Sequence, residues 1–420
     1  MRIDQPERFL SELFELAVKT ADPMQVIPKH LPPRPKGRLL VIGAGKASAR
    51  MAEAVESVYG PCEGLVITRY GYARPCKGIE IVEAAHPVPD QSGVDATARM
   101  LDLVSELQPE DTVLALISGG GSALLCSPIE GLTLSDKQAV NAALLASGAP
   151  ISEMNTVRAR LSKVKGGRLA TACSPAQLLS LIISDVPGDD PAEIASGPTV
   201  PGSSTNEEAL AVIDRHEIPV DEKVIRLLSA PQEKLSGKAT AGTSVIVAAP
   251  SQSLAAAADL AKSQGCEVTL LGDALEGEAR DLGRSHAELA LKVQSQMTAG
   301  SAPHLLLSGG ECTVTRIGNG IGGPNAEYAL AAGLALTEAD GIHLIACDTD
   351  GVDGAAEVAG AYFGPETLQS EEHYAIAEAS LGNNDAHSFF SKLGGQIICG
   401  PTLTNVNDFR AILIFPKSES

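Results

Sequence analysis

Short, unbroken apolar runs recur along this chain, each ending in glycine or a small polar loop and most followed by a helix-like segment. They are Leu39–Ile42, Leu65–Thr68, Val113–Ile117, Leu178–Ile183, Val245–Ala248, Leu305–Leu307, Ile342–Ala346 and Ala411–Phe415. Strands that are apolar throughout need both faces of their sheet covered, and their alternation with helices predicts an α/β protein built on parallel sheets. Leu10, Leu13, Phe14 and Ala17 stand at helical spacing within residues 7–20. An amphipathic helix is therefore expected to open the chain, ahead of a proline-rich stretch from Pro23 to Pro35.

A chain of 420 residues has room for two or three domains. The most polar part of its middle runs from Asp221 to Thr243, so a division is expected near residue 238, giving domains 1–237 and 238–420. Both halves carry a strand ending in Ser-Gly-Gly, at 118–120 and 308–310, either a duplication or two uses of one loop solution.

Charge narrows the partners. Lys and Arg total 32 against 52 Asp and Glu, and the acids are scattered instead of forming a tail. A net charge of −20 argues against nucleic acid and anionic membrane surfaces, and 3% aromatic residues without tryptophan argue against base stacking. The eight cysteines form no Cys-x-x-Cys pair, so they read as small buried residues in a reducing compartment. No signal core opens the chain and no apolar stretch of about 18 residues occurs, which predicts a soluble, cytoplasmic protein.

With 41 glycines, many loops are expected to approach a ligand or a neighbouring element closely. Five candidates stand out. Gly43-Ala44-Gly45-Lys46 leads an apolar strand into a helix, a turn that points N–H groups at an anion. A dinucleotide fingerprint would need glycine where Ser48 stands, and an ordinary βα turn is the competing reading. Lys46 draws notice because a cation at a helix start opposes the dipole. Ser118-Gly119-Gly120-Gly121-Ser122, again after a strand, suits a loop around phosphate or carboxylate oxygens, although it lacks the Gly-x-Ser-x-Gly of a serine nucleophile.

Asp185, Asp189 and Asp190 follow the run at 178–183, where carboxylates of such sheets meet ligands and Mg²⁺. Turn and cap duties compete for Asp189 and Asp190. Asn319 to Glu327, rich in glycine, opens another helix over Glu327–Leu336, a further N-terminus for an anion, with a hairpin turn as the alternative. Asp348, Asp350 and Asp353 follow the run at 342–346 at a spacing that misses the EF-hand pattern, so a general base or Mg²⁺ ligand is the functional reading and plain turn residues the alternative. His86 sits in a proline-flanked loop. Arg158, Arg160, Lys163, Lys165 and Arg168 form the densest basic island, where an anionic ligand would be steered unless the island is only a solvated helix face.

In order along the chain, Val41–Lys46, Ala85–Asp90, Ser118–Leu125, Gly131–Gln138, Ala146–Asn155, Lys165–Leu169, Ile183–Pro201, Ser308–Thr315, Asp348–Gly354 and Gly400–Asp408 resemble the glycerate 2-kinase family of the MOFRL type, in which the older name hydroxypyruvate reductase also occurs. The resemblance covers most of the chain. It implies a Rossmann-like parallel-sheet N-terminal domain, a smaller α/β MOFRL-like C-terminal domain and a cleft between them. It also implies ATP-dependent phosphorylation of the 2-hydroxyl of D-glycerate with Mg²⁺. On that basis Lys46, Asp185, Asp348 and Asp350 are the expected catalytic residues, and Asp185, Asp189 and Asp350 the metal ligands. Substrate and phosphate contacts fall to Gly43, Gly45, Ser118, Gly119, Gly120, Gly121, Ser122, Arg160, Gly309, Gly310, Glu311, Asn325 and Asn405. Expected partners are D-glycerate and a nucleotide, with no nucleic acid or membrane and a homodimer as the candidate assembly.

Many family members read Gly-Gly-Arg-Asn-Gln-Glu where this chain has Gly322-Gly323-Pro324-Asn325-Ala326-Glu327, and Arg-Lys-His-Leu-Ser where it has Arg158-Ala159-Arg160-Leu161-Ser162. An arginine is therefore missing at 324, and Arg160, Arg168 or Arg316 replaces it or the substrate differs within the hydroxy acids. A nicotinamide-dependent reductase and a non-catalytic sensor are the rival readings. The reductase lacks its third glycine at Ser48, and Glu63 precedes the next strand instead of ending it.

Overall fold

In the first half of the chain the apolar runs come together as one sheet. A computed structural model describes residues 3–202, 204–230, 242–336, 339–354 and 356–417. The strands are β1 (Leu39–Ala44), β2 (Glu63–Arg69), β3 (Ile79–Ala84), β4 (Thr112–Ile117), β5 (Gln177–Ile183) and β6 (Thr243–Ala248). They lie in the order β3-β2-β1-β4-β5-β6, and the pairs β3–β2, β2–β1, β1–β4 and β4–β5 are parallel. This is the doubly wound order, whose direction reverses between β1 and β4 and opens a crevice at their C-terminal ends. Every residue of β1 is buried, and Gly43 is required inside it because a Cβ there would stand 2.3 Å from the Leu116 carbonyl oxygen.

A second, wholly helical core lies beside the sheet in the same unit. Helices Leu134–Ala146, Ile151–Arg160, Asn206–Arg215 and Glu222–Ser229 bury Leu144, Val157, Ala209 and Leu228 together. The proline-rich stretch is partly helical, over Pro23–His30. Burial of Val26 and Ile27 there outweighs the one hydrogen bond that Pro28 cannot donate.

The second sheet departs from expectation. Its strands are β7 (Glu267–Gly272), β9 (His304–Gly310), β11 (Ile342–Asp348), β12 (Gly360–Phe363), β13 (Gln396–Ile397) and β14 (Asp408–Ile414), while β8 (Gly277–Glu278) and β10 (Cys312–Thr313) pair separately. The order is β13-β12-β11-β14-β9-β7, with only β7–β9 parallel and the other four pairs antiparallel. An apolar run reports burial on two faces but not strand direction, and here too both faces are covered. Leu344, Ala346, Ile412 and Ile414 point to a core shared with Ala287 and Leu330. Ile345, Cys347, Ala411 and Leu413 point the other way, onto Leu254, Ala257 and the apolar side of the helix Pro6–Thr20.

That last contact sets the division of the chain. One compact unit is Pro23–Val247, and the other joins Met1–Asp22 to Ala248–Ser420. The boundary expected near residue 238 falls within 231–241, outside the described residues. The opening helix belongs with the second unit because Phe9, Leu10, Leu13, Phe14 and Ala17 complete that unit's core. All eight cysteines are free, six of them buried, with Cys76 partly and Cys399 fully exposed. Among the described residues no helix is long and apolar enough to cross a membrane.

Phe14 is 2% exposed, with its ring centroid 6.0 Å from that of Phe409. Phe14→Ala is expected to destabilise the second unit by about 3–5 kcal/mol, read as a lowered midpoint in urea unfolding.

Candidate active site

The C-terminal ends of β1 and β4 carry the two glycine loops, and these interlock. Gly45 has φ +147°, and a Cβ on it would stand 2.1 Å from Ser118 Oγ, so only glycine fits. The Lys46 N–H donates to the Gly119 carbonyl at 2.8 Å and the Ala47 N–H to Ser118 Oγ at 3.1 Å. Ser118 Oγ also lies 3.1 Å from Ser48 Oγ, and the residue is fully buried. Its hydroxyl thus ties the loops to each other. The following helix runs Ser48–Tyr59, so Lys46 stands in the turn just outside it.

Gly120, with φ +77°, has Lys46 and His86 at its sides: a Cβ there would meet His86 Nε2 at 3.0 Å and Lys46 Cγ at 3.1 Å. Three features singled out separately in the sequence are therefore neighbours. Gly121 packs against the Ala195 methyl, and Ser122 Oγ lies 2.9 Å from Ser196 Oγ.

After β5 the chain turns sharply. Asp185 is half-buried at the strand end. Asp189 has φ +54°, and its buried Oδ1 has no hydrogen-bond partner. Asp190 accepts the Ala192 N–H at 2.9 Å, the work of a turn residue. Ala195, Ser196 and Gly197 follow with φ of 53°, 61° and 58°, a run of left-handed backbone that costs of order 1–2 kcal/mol for each residue bearing a Cβ.

The basic island is not a solvated helix face. Lys165 is 1% exposed, and its Nζ donates to the Ser122 carbonyl at 2.6 Å, touches Ser122 Oγ and lies 3.4 Å from Ser196 Oγ. Arg168 donates to the Ala159 and Ser162 carbonyls, and burial with Arg160 beside it brings it down to about 10. Arg160 reaches Asn206 Oδ1 at 2.8 Å and the Ser204 carbonyl at 3.3 Å. Arg316 is exposed and holds its own loop through the carbonyls of Gly318 and Gly320. Lys137, Asn155 and Ser196 belong to the surroundings of Lys165, and no residue-level signal in the sequence marks them.

In the second unit the strand-end groups are largely engaged with the protein itself. Asp348 Oδ1 accepts the Asp350 N–H and Asp350 Oδ1 the Val352 N–H, each at 2.8 Å. Asp353 is fully buried and accepts the N–H groups of Asn325 and Ala326 at 2.9 Å each. It occupies the N-terminus of the helix Pro324–Ala335, so that terminus, read from sequence as open to an anion, is already filled by a carboxylate. Asn325 Nδ2 donates to Asp408 Oδ1 at 2.6 Å, and Asp408 pairs with buried Arg410. Arg410 in turn donates to the Gly309 carbonyl at 3.0 Å and lies at 3.5 Å from that of Gly310. Gly310 has φ +107° against the Leu275 backbone, and Glu311 is exposed. Asn405 Oδ1 accepts the Asn407 N–H at 3.1 Å. Among the described residues no three His, Cys, Asp or Glu side chains gather as a metal cluster.

Ser118→Ala would leave the buried Ala47 N–H without an acceptor. A loss of about 1–3 kcal/mol in chemical unfolding of the first unit is expected, together with reduced turnover.

Comparison with known proteins agrees with this architecture. Residues 9–229 match a domain of unknown function, DUF4147, and residues 304–408 match the MOFRL family. The chain is 50% identical over 410 residues, 96% of its length and 94% of the relative's, to an Agrobacterium vitis protein named "Putative hydroxypyruvate reductase". It is 39% identical over 406 residues, 94% of its length and 95% of the relative's, to D-glycerate 2-kinase of Thermotoga maritima. The crystal structure of glycerate kinase from Thermotoga maritima superposes with a TM-score of 0.86 at 38% identity, covering 97% of this chain and 99% of that one. With sequence and fold shared along nearly its whole length, the chain belongs to the glycerate kinase family of the MOFRL type.

Proposed function

We propose that this protein transfers the terminal phosphoryl group of ATP to the 2-hydroxyl of D-glycerate, giving 2-phospho-D-glycerate and ADP. The observation that carries the reading is the meeting of Lys46, His86 and the glycine loop 118–121 at the reversal point of a parallel sheet, in a chain of this family. Phosphoryl transfer needs positioning and charge neutralisation more than covalent chemistry, and a lysine beside backbone N–H groups supplies both. The new bond joins the substrate's 2-oxygen to phosphorus while the bond from phosphorus to the β,γ-bridging oxygen breaks. The hydroxyl proton passes to a carboxylate acting as general base.

Mg²⁺ takes one or two carboxylates and leaves its other positions to water and phosphate, so it does not require a three-residue cluster. The partnerless, buried Oδ1 of Asp189 fits such a cation, with Asp185 on the same turn; when bound, Mg²⁺ would offset charge on the phosphates. Asp350 stays a candidate ligand in its own loop. Free thiols, most of them buried, agree with a reaction carried out in the cytoplasm.

The name of the Agrobacterium relative favours a second reading, a hydroxypyruvate reductase using a nicotinamide. Against it, Glu63 begins β2 and is held by Arg38 at 2.9 Å, away from the strand end where a ribose would be bound. The two readings separate in one assay. ADP release with MgATP is expected with D-glycerate and not with L-glycerate, tartronate or hydroxypyruvate, and phosphorus NMR of the product would show a 2-phosphate. Oxidation of NADH or NADPH by hydroxypyruvate without ATP turnover would overturn the kinase reading. Lys46→Met is expected to lower kcat on the order of 10²–10³-fold. Asp185→Asn should raise the Mg²⁺ concentration needed for half-maximal rate.

A further inference from the structure

Among the described residues, buried Arg410 is matched by the carboxylate of Asp408, and half-buried Arg280 by that of Glu327. In the first unit Lys137, Lys165 and Arg158 have no carboxylate partner among the described residues. Lys137 is 4% exposed and Lys165 1% exposed, and Arg158 is half-buried with its Nε enclosed and without a hydrogen-bond partner. The charged or titratable groups that face Lys165 are Lys137, Arg158 and the Cys126 thiol, and besides Lys165 those that face Lys137 are Arg158 and Cys126. Burial pushes the Cys126 thiol up, so it offers no negative charge. The Glu193 carboxylate is held by Asn155 Nδ2 at 2.6 Å, while Asn155 Oδ1 takes Arg158 Nη1 at 3.4 Å. Burial and mutual repulsion push Lys165 well below its ordinary range. An uncompensated buried charge costs several kcal/mol, and three that repel one another are not selected for stability.

The hydroxyls are arranged to suit a ligand. Ser196 is held in left-handed backbone, its Oγ 2.9 Å from Ser122 Oγ and 3.3 Å from Asn155 Oδ1. Ser122, Asn155 and Arg158 are partly exposed, with Lys137 and Lys165 buried behind them. The geometry points to an oxyanion site, built of Lys137, Arg158 and Lys165 with Ser122, Ser196 and Asn155, that binds a carboxylate or phosphoryl group as the missing counter-charge. Under the phosphotransfer reading, on which only the choice of source rests, the oxyanion is either the carboxylate of the hydroxy acid or a phosphate of the nucleotide.

Inorganic phosphate is the first probe, because its binding does not depend on the protein being a kinase. Phosphate is expected to raise the melting temperature of the full-length protein above that in chloride at equal ionic strength. That gain should vanish in Lys137→Met and in Arg158→Gln. Lys137→Met, which removes an unmatched buried charge at similar volume, should melt no lower than the parent without phosphate. Arg158→Gln, at the partly exposed edge, keeps the test open if changes at Lys165 fail to fold. Calorimetry then separates the sources: about tenfold weaker binding of D-glycerate with ATP unchanged in Arg158→Gln assigns the carboxylate, and the converse assigns the nucleotide phosphate. Equal stabilisation of parent and variants by phosphate, or none in the parent, would overturn the site. A kinase-inactive protein that keeps the variant-sensitive phosphate effect would overturn the choice of source alone.

Discussion

The first unit's site depends on how closely two loops approach where the strand order reverses. Gly45 can lie against Ser118 only because it has no Cβ, and the Ser118 hydroxyl then takes an amide that would otherwise be buried without an acceptor. Leaving that amide unpaired would cost about 1–3 kcal/mol, so the loops hold one relative position. Lys46 and His86 inherit their places from it, both beside Gly120. A flexible lysine on a rigid turn between two buried strands is presented more precisely than the same lysine on a free loop.

The two units treat buried charge differently. In the second, Asp353 satisfies two backbone donors and faces His387 Nε2 at 3.0 Å, while Asp408 joins Asn325 to Arg410 and Glu327 joins Arg280 to Asn384. Each of these carboxylates accepts a hydrogen bond, and the network fixes the start of the helix Pro324–Ala335 and the end of β9. In the first unit, Lys165 has only hydroxyls and a carbonyl to meet its charge. One arrangement organises a scaffold, and the other leaves electrostatic demand unmet.

Much of the fold was legible because strands covered on both faces leave unbroken apolar runs, and all eight runs read from the sequence lie in strands. Among the strands that no run marked, β3 shows the limit of that signal: Ile79-Glu80-Ile81-Val82-Glu83-Ala84 carries charge on an edge strand that is only partly buried. Strand direction was not legible, because β14 comes last in the chain and settles between β11 and β9, antiparallel to both. Lys46 and the loop 118–121 were visible through glycines that follow strands. Lys165 was visible as charge but not as burial, since burial depends on helices contributed by residues 134–160. The helix at 324 was misjudged for a similar reason: the carboxylate that fills its N-terminus comes from Asp353, 28 positions away.

The opening helix has a consequence for synthesis. Its apolar side, Phe9 to Ala17, rests on residues that begin at Leu254, with the whole of Pro23–Val247 made in between. At about 5–20 residues per second the ribosome spends roughly ten to forty-five seconds on that interval. By its end the first unit has everything it needs to close its own cores, while the helix still has no surface to cover its phenylalanines. A segment made before the first unit is thus placed only after it, and during that delay it is a ready target for chaperones or for a neighbouring nascent chain.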